Sequence, residues 1–189
     1  MHTTPVSLLE RLRRPGEQEA WDRFVELYTP LLFHWARRAG LQEPDAADLV
    51  QDVFTLLLRK LPDFVRDPGQ KFRSWLRTVT LNRYRDLLRK RQRDPAAGGP
   101  AEALADVPGP DALDAFWEAE YRQRLIDRAL AVMRGEFEPS TWRACWAFVA
   151  EGRPAADVAA ELGISENAVY IAKLRVLRRL RKELAGLAD

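Results

Sequence analysis

Asp48 and Asp52 stand four residues apart, with Leu49 and Gln51 between them, in a stretch without Lys or Arg. Spacing of four puts two carboxylates on one face of a helix. Such a face is either solvated or a docking surface for a complementary partner. Arg77, Asn82 and Arg83 lie in a second stretch, crowded with Arg and interleaved with Trp75 and Tyr84. Aromatics beside Arg can hold unstacked bases. An Asn amide can read the edge of a base flipped into a pocket. Helical spacing also makes Phe72 and Trp75 natural core residues, while Tyr84 and Asn82 are less obviously so. A third group is Asn167, Tyr170, Ile171, Lys173, Leu174, Arg175 and Arg178. Its chemistry is contact with base edges and phosphates in a DNA groove. All three are binding chemistries, and none makes or breaks a bond.

Composition closes off the other classes. The chain has 189 residues, room for one domain or two small ones. One Cys (Cys145) excludes an intramolecular disulfide, and with His2 and His34 it supplies no plausible zinc set. Cys145 reads as a small buried apolar residue. No Gly-rich phosphate loop, metal cluster or nucleophile–base pair is present, so an enzyme is not expected and neither is a cofactor. No apolar run approaches a membrane span, and the N-terminus lacks the pattern of a signal peptide. The expectation is a cytoplasmic protein with no membrane partner.

The elements that must carry these residues are helices. Apolar positions recur at three- and four-residue steps, and no useful stretch alternates with period two. The fold class read from this is all-α: two small helical domains joined by a flexible linker. Residues 1–91 form the first, 92–111 the linker and 112–189 the second. The linker holds Pro95, Pro100, Pro108, Pro110, Gly98, Gly99 and Gly109. Helices are expected over 18–38, with a kink or break at Pro30, then from 44 to before Pro62, and over 71–93. A short helix over 5–14 is also possible. Four more follow at about 112–134, 140–151, 154–162 and 166–185. Gly152 is read as a C-terminal cap, Pro154 as a first helical residue and Ser165 as an N-cap. The pattern over 155–174 is helix, tight turn, helix, with Gly163 at the left-handed turn position and Ala159 where two helices cross. It fits a DNA-reading pair with 166–185 in the major groove, or an ordinary helical hairpin.

The formal net charge is only +2, which masks strong segregation. Residues 40–57 carry Glu43, Asp45, Asp48 and Asp52 for a net of −4, and residues 59–93 carry +9. Residues 94–127 carry −6, and 173–182 carry six cations without an acid. One such run is commonly a solvated face; two basic runs, one per domain, point to a polyanion.

Three segments resemble the extracytoplasmic-function (ECF) group of sigma factors in the sigma-70 family. "PDAADLVQDVFTLLLRKL" (44–61) is similar to the acidic helix of region 2. "FRSWLRTVTLNRYRDLLRKRQR" (72–93) is similar to the promoter-melting helix of that region. "RPAADVAAELGISENAVYIAKLRVLRRLRKEL" (153–184) is similar to region 4. Their order, and the linker between them, fit the group. The resemblance implies an alternative sigma factor that recruits core RNA polymerase and directs promoter recognition, melting and initiation.

Roles follow by resemblance. Asp48, Leu49, Gln51 and Asp52 would dock on the clamp coiled coil of the polymerase β′ subunit. Arg77, Asn82 and Arg83, with the loop at 62–71, would engage the −10 strand. Asn167, Tyr170, Ile171, Lys173, Leu174, Arg175 and Arg178 would read the −35 element. The β flap and an anti-sigma factor are further partners implied. Two departures stand out. The recognition helix opens "SENAVY" where many relatives have a Pro-Gly-Thr-Val-like start. Residues 137–154 are rich in Trp, and Trp142, Trp146 and Phe148 make either a different core or a partner surface. The competing reading is a stand-alone helix-turn-helix regulator with an N-terminal interaction domain, which leaves the helices at 44–93 without a reason.

Overall fold

The computed structural model describes residues 7–62, 64, 71–93 and 110–187. Most of the 62–71 loop and of the linker lies outside the described residues. The described residues form α-helices, one 3-10 turn and no strand. The helices are α1 (Leu8–Leu12), α2 (Gln18–Arg38), α3 (Glu43–Lys60), α4 (Phe72–Arg93), α5 (Pro110–Met133), α6 (Pro139–Val149), α7 (Ala155–Leu162) and α8 (Glu166–Leu184). The 3-10 turn spans Arg134–Glu136 between α5 and α6. The all-α class expected from the apolar period is what the chain forms.

Pro30 lies inside α2, which runs through it unbroken, so the chain does not take the break that was one of the two expected outcomes. A proline lacks the N–H that would bond the carbonyl four residues back. That carbonyl is Glu26 O, and the Arg128 Nε of α5 donates to it at 3.0 Å. The acceptor that proline strands inside one helix is satisfied by a cation from another.

One hydrophobic core lies around α2. It buries Phe24, Tyr28, Leu32 and Trp35 of α2, Leu49, Val53 and Leu57 of α3, and Phe72, Leu76 and Tyr84 of α4. Trp117, Tyr121, Leu125 and Ala129 of α5 join it, and so do Leu184 and Leu187 at the far end of the chain. A second core lies among α6, α7 and α8 and is built of Ala144, Cys145, Ala147, Ala155, Val158, Ala159, Val169, Ala172 and Val176. Helix α5, assigned from sequence to the second domain, therefore carries side chains of the first core. Its lower turns also meet α6 and α8, through Ile126 and Leu130 beside Trp142 and Leu180.

Two polar networks tie these parts together. The Tyr121 hydroxyl donates to Leu187 O at 2.8 Å and lies 2.8 Å from the Tyr28 hydroxyl. A phenol has one proton to give. Tyr121 has used its own, so Tyr28 must be the donor between them. Arg23 of α2 reaches Glu183 of α8 and Glu136 of the 3-10 turn, each at 2.5 Å. Arg179 of α8 bonds Glu136 at 2.8 Å and also pairs with Glu183.

The helix-turn-helix is closed by local chemistry. Gly163 holds φ +65° after α7, a conformation that favours glycine. Ser165 caps α8 by accepting the Ala168 N–H at 3.1 Å. Pro154 lies one residue outside α7, not in its first position, because its ψ of 140° is extended. At the end of α6 the cap residue is Ala150, not Gly152. Gly152 turns the chain two residues later at φ +67°.

Candidate nucleic-acid interface

Three solvent-facing surfaces emerge from this frame. The first is on α3. Leu49, Val50, Val53 and Leu57 are buried, so the helix turns Asp48, Gln51 and Asp52 outward, and all three are exposed. Leu49 itself is in the core, so it supports the acidic face and does not form part of its surface. Asp45, one turn earlier, pairs with Arg91 of α4. That ion pair holds the acidic helix beside the basic one.

The second surface is on α4. Asn82 is exposed, and Arg77 and Arg83 are half-buried. Arg83 lies 3.8 Å from Asp86. Tyr84 is not part of this surface. Its ring meets Trp35 edge-on at 5.6 Å and its hydroxyl donates to Ala39 O at 2.9 Å. Burial pushes its pKa up to about 12. It is a core residue with its polar end satisfied. Phe72 is buried, as helical spacing suggested, and Trp75 packs against Phe64 with ring centroids 4.7 Å apart.

The third surface is on α8. Val169, Ala172 and Val176 face the core. The opposite stripe is outward: Tyr170 is 46% exposed, Ile171 39% and Leu174 59%. Together they put three large apolar side chains on one exposed stretch of helix. Asn167, Arg175 and Arg178 are also exposed, whereas Lys173 is half-buried against α6. Ser140 and Thr141 of α6 were missed by the sequence reading. They line a cleft of about 240 Å³ beside Ile171 and Arg175. Nothing in the sequence singles them out, because small hydroxyl residues commonly open helices.

The tryptophans of α6 form part of a partly open groove. Trp142 and Trp146 stack with centroids 6.1 Å apart at 18°. They line a groove of about 600 Å³ with Leu130, Arg143 and Leu162. An adjoining apolar cavity of about 210 Å³ takes in Val149, Val176 and Leu180. Cys145 is buried at its wall, and burial pushes the thiol pKa up. Among the described residues, no cluster of His, Cys, Asp and Glu fits a metal ion. No described helix is long and apolar enough to cross a membrane.

Residues 24–94 match the family Sigma-70 region 2. The RNA polymerase sigma factor CnrH of Cupriavidus metallidurans is 31% identical over 184 residues, covering 92% of this chain and 89% of CnrH. The chain belongs to the ECF group of sigma-70 RNA polymerase sigma factors. NccH of Alcaligenes xylosoxydans xylosoxydans, another RNA polymerase sigma factor, is 38% identical over 108 residues, covering 54% of this chain and 57% of NccH. The ECF sigma factor ShbA of Streptomyces griseus is 26% identical over 196 residues, covering 95% of each. The solved structure of CnrH in complex with the cytosolic domain of CnrY covers 92% of each chain at 25% identity and a TM-score of 0.37. A sigma factor acts in transcription initiation. This also answers the competing reading, since a stand-alone regulator gives no account of the match over 24–94.

Proposed function

We propose that the three surfaces divide the work of initiation. The exposed face of α3, with Asp48, Gln51 and Asp52 seated on Leu49, docks on the clamp coiled coil of the core polymerase β′ subunit. Arg77, Asn82 and Arg83 of α4 engage the −10 strand, with the loop at 62–71. Promoter opening is then stabilised by trapping an unpaired base, and no bond is made or broken. The outward stripe of α8 reads the −35 element through Asn167, Tyr170, Ile171, Leu174 and Arg175, while Lys173 and Arg178 meet phosphates. Residues 1–91 and 112–189 serve as the two functional modules, linked by 92–111. The stacked tryptophans of α6 offer an apolar seat for the β flap. A protein that covers these faces would act as an anti-sigma factor. A protein that acts on core polymerase and promoter DNA in this way would work in the cytoplasm.

One observation carries this reading. The acidic face of α3 points to solvent while its neighbour Asp45 is paired with Arg91. Opposite charges are thus held side by side but presented to different partners. The test is charge reversal, Asp48→Lys with Asp52→Lys, in the full chain. Core polymerase affinity should fall about tenfold or more, because like charges then face each other across the contact. Helicity by circular dichroism should be unchanged. Unaltered core affinity would remove α3 from the polymerase contact.

A further inference from the structure

Phe148 lies on α6, outside the recognition helix, yet meets two of its residues, the exposed Tyr170 and the half-buried Lys173. Its ring meets the Tyr170 ring edge-on, with centroids 5.3 Å apart at 86°. The Lys173 Nζ stands 5.2 Å from the centroid of the same ring. Tyr170 and Lys173 are three residues apart on α8 and so are neighbours on one face. Phe148 is itself half-buried and packs on the second core, which fixes its own position.

Each contact removes a freedom that a recognition residue would otherwise lose on binding. A lysine on a helix surface has a flexible four-carbon stem and many rotamers. An ammonium over an aromatic face is attracted by the ring quadrupole. Lys173 is accordingly half-buried, beside the exposed Leu174 and Arg175. The edge-to-face contact similarly limits where the Tyr170 ring can lie. Order established before binding cuts its entropic cost.

We propose that Phe148 is a positioning residue for −35 recognition. It sets the Tyr170 ring for a base edge and holds the Lys173 ammonium to the α6 side of α8, where it meets a phosphate. The proposal rests on the reading of α8 given above and adds to it the residue behind the reading surface. It also gives a reason for an aromatic at this place in α6: Leu would fill the space but has neither quadrupole nor flat face.

The experiment uses holoenzyme, the full chain with core polymerase, on promoter fragments carrying single-base changes across the −35 and −10 elements. Phe148→Leu should flatten discrimination at one or two adjacent −35 positions by about three- to tenfold. Discrimination at −10, core affinity and the thermal midpoint should stay near wild type. Phe148→Tyr keeps the ring and should restore −35 discrimination. Should Phe148→Leu fold poorly, Phe148→Met carries the same expectation. Tyr170→Ala and Lys173→Ala separate the two layers of the argument. If both alter −35 binding while Phe148→Leu leaves discrimination unchanged, Phe148 positions nothing. If neither alters it, the reading of α8 fails with it. A loss spread equally over all promoters, with a lowered midpoint, would make Phe148 a packing residue and overturn the proposal.

Discussion

The two hydrophobic cores differ in the largest side chains they bury completely. The core around α2 is rich in rings: Phe24, Tyr28, Trp35, Phe72, Trp117 and Tyr121 are all buried there. The core of α6–α8 buries Ala144, Ala147, Ala155, Ala159 and Ala172, with three valines and Cys145. The first fills the space between its helices with large side chains, and its phenols carry hydrogen bonds from one element to another. The second lets helices approach closely, as a helix-turn-helix requires. The first should therefore fail by losing volume and the second by gaining it.

The largest expected effect is Trp35→Ala. Trp35 is almost fully buried and meets both Tyr84 and Trp117 edge-on. Its removal should cost about 3–5 kcal/mol in a denaturant titration. A cost below about 1 kcal/mol would show a core that collapses around the gap, and the contrast would be lost. Next comes Ala159→Leu in the second core, where overpacking should cost about 1–3 kcal/mol. The same measurement on this variant, against Trp35→Ala, shows whether the two cores differ in kind. If Ala159→Leu stabilises, the second core is not tight.

Tyr121→Phe sharpens the comparison from the polar side. It removes one oxygen and leaves both Leu187 O and the Tyr28 hydroxyl short of a partner. Burial raises the pKa of Tyr28 and Tyr121 well above the usual phenol value, in keeping with sites closed to water. Loss of a buried hydrogen bond of this kind should cost about 1–3 kcal/mol. A near-zero change would mean that water replaces the hydroxyl.

Much of this was legible in the sequence, for reasons that differ by residue. The apolar period placed the helices because each has one buried stripe, and Gly163 and Ser165 marked the turn because their chemistry is local. Val169, Ala172 and Val176 keep that period on the inward side of α8. Tyr84 is less obviously core in the sequence because its neighbours there are charged, whereas its neighbours in space are Trp35 and Ala39. The continuity of α2 through Pro30 is hidden from sequence for a similar reason. Its fate depends on Arg128, 98 positions away. The share of α5 in the first core was hidden too, since helical period shows that a stripe is buried but not against what. The roles of the outward residues came from resemblance, because exposure alone does not name a partner.

The smallest effect expected is the pH dependence of the ionic network at α8. Burial pushes the Glu183 pKa up, but hydrogen bonds and charge from Arg23 and Arg179 outweigh it and hold the carboxyl below its ordinary value. A folded-state pKa below the unfolded one means stability that is fully present above the unfolded value. It is lost as pH falls through the folded value. The thermal midpoint should therefore decline on acidification from the usual carboxylate range downward. Glu183→Gln should flatten part of that decline while lowering the midpoint at neutral pH, because Arg23 and Arg179 then lack their buried counter-charge. The network is partly open to solvent, with Arg23 19% exposed and Glu136 36% exposed. Added salt should thus shrink the difference between the two proteins. An acid limb identical in the variant would assign the pH dependence to other carboxylates. The join between α2 and α8 would then rest on Tyr28, Tyr121 and Leu187, whose hydrogen bonds neither salt nor mild acid can touch.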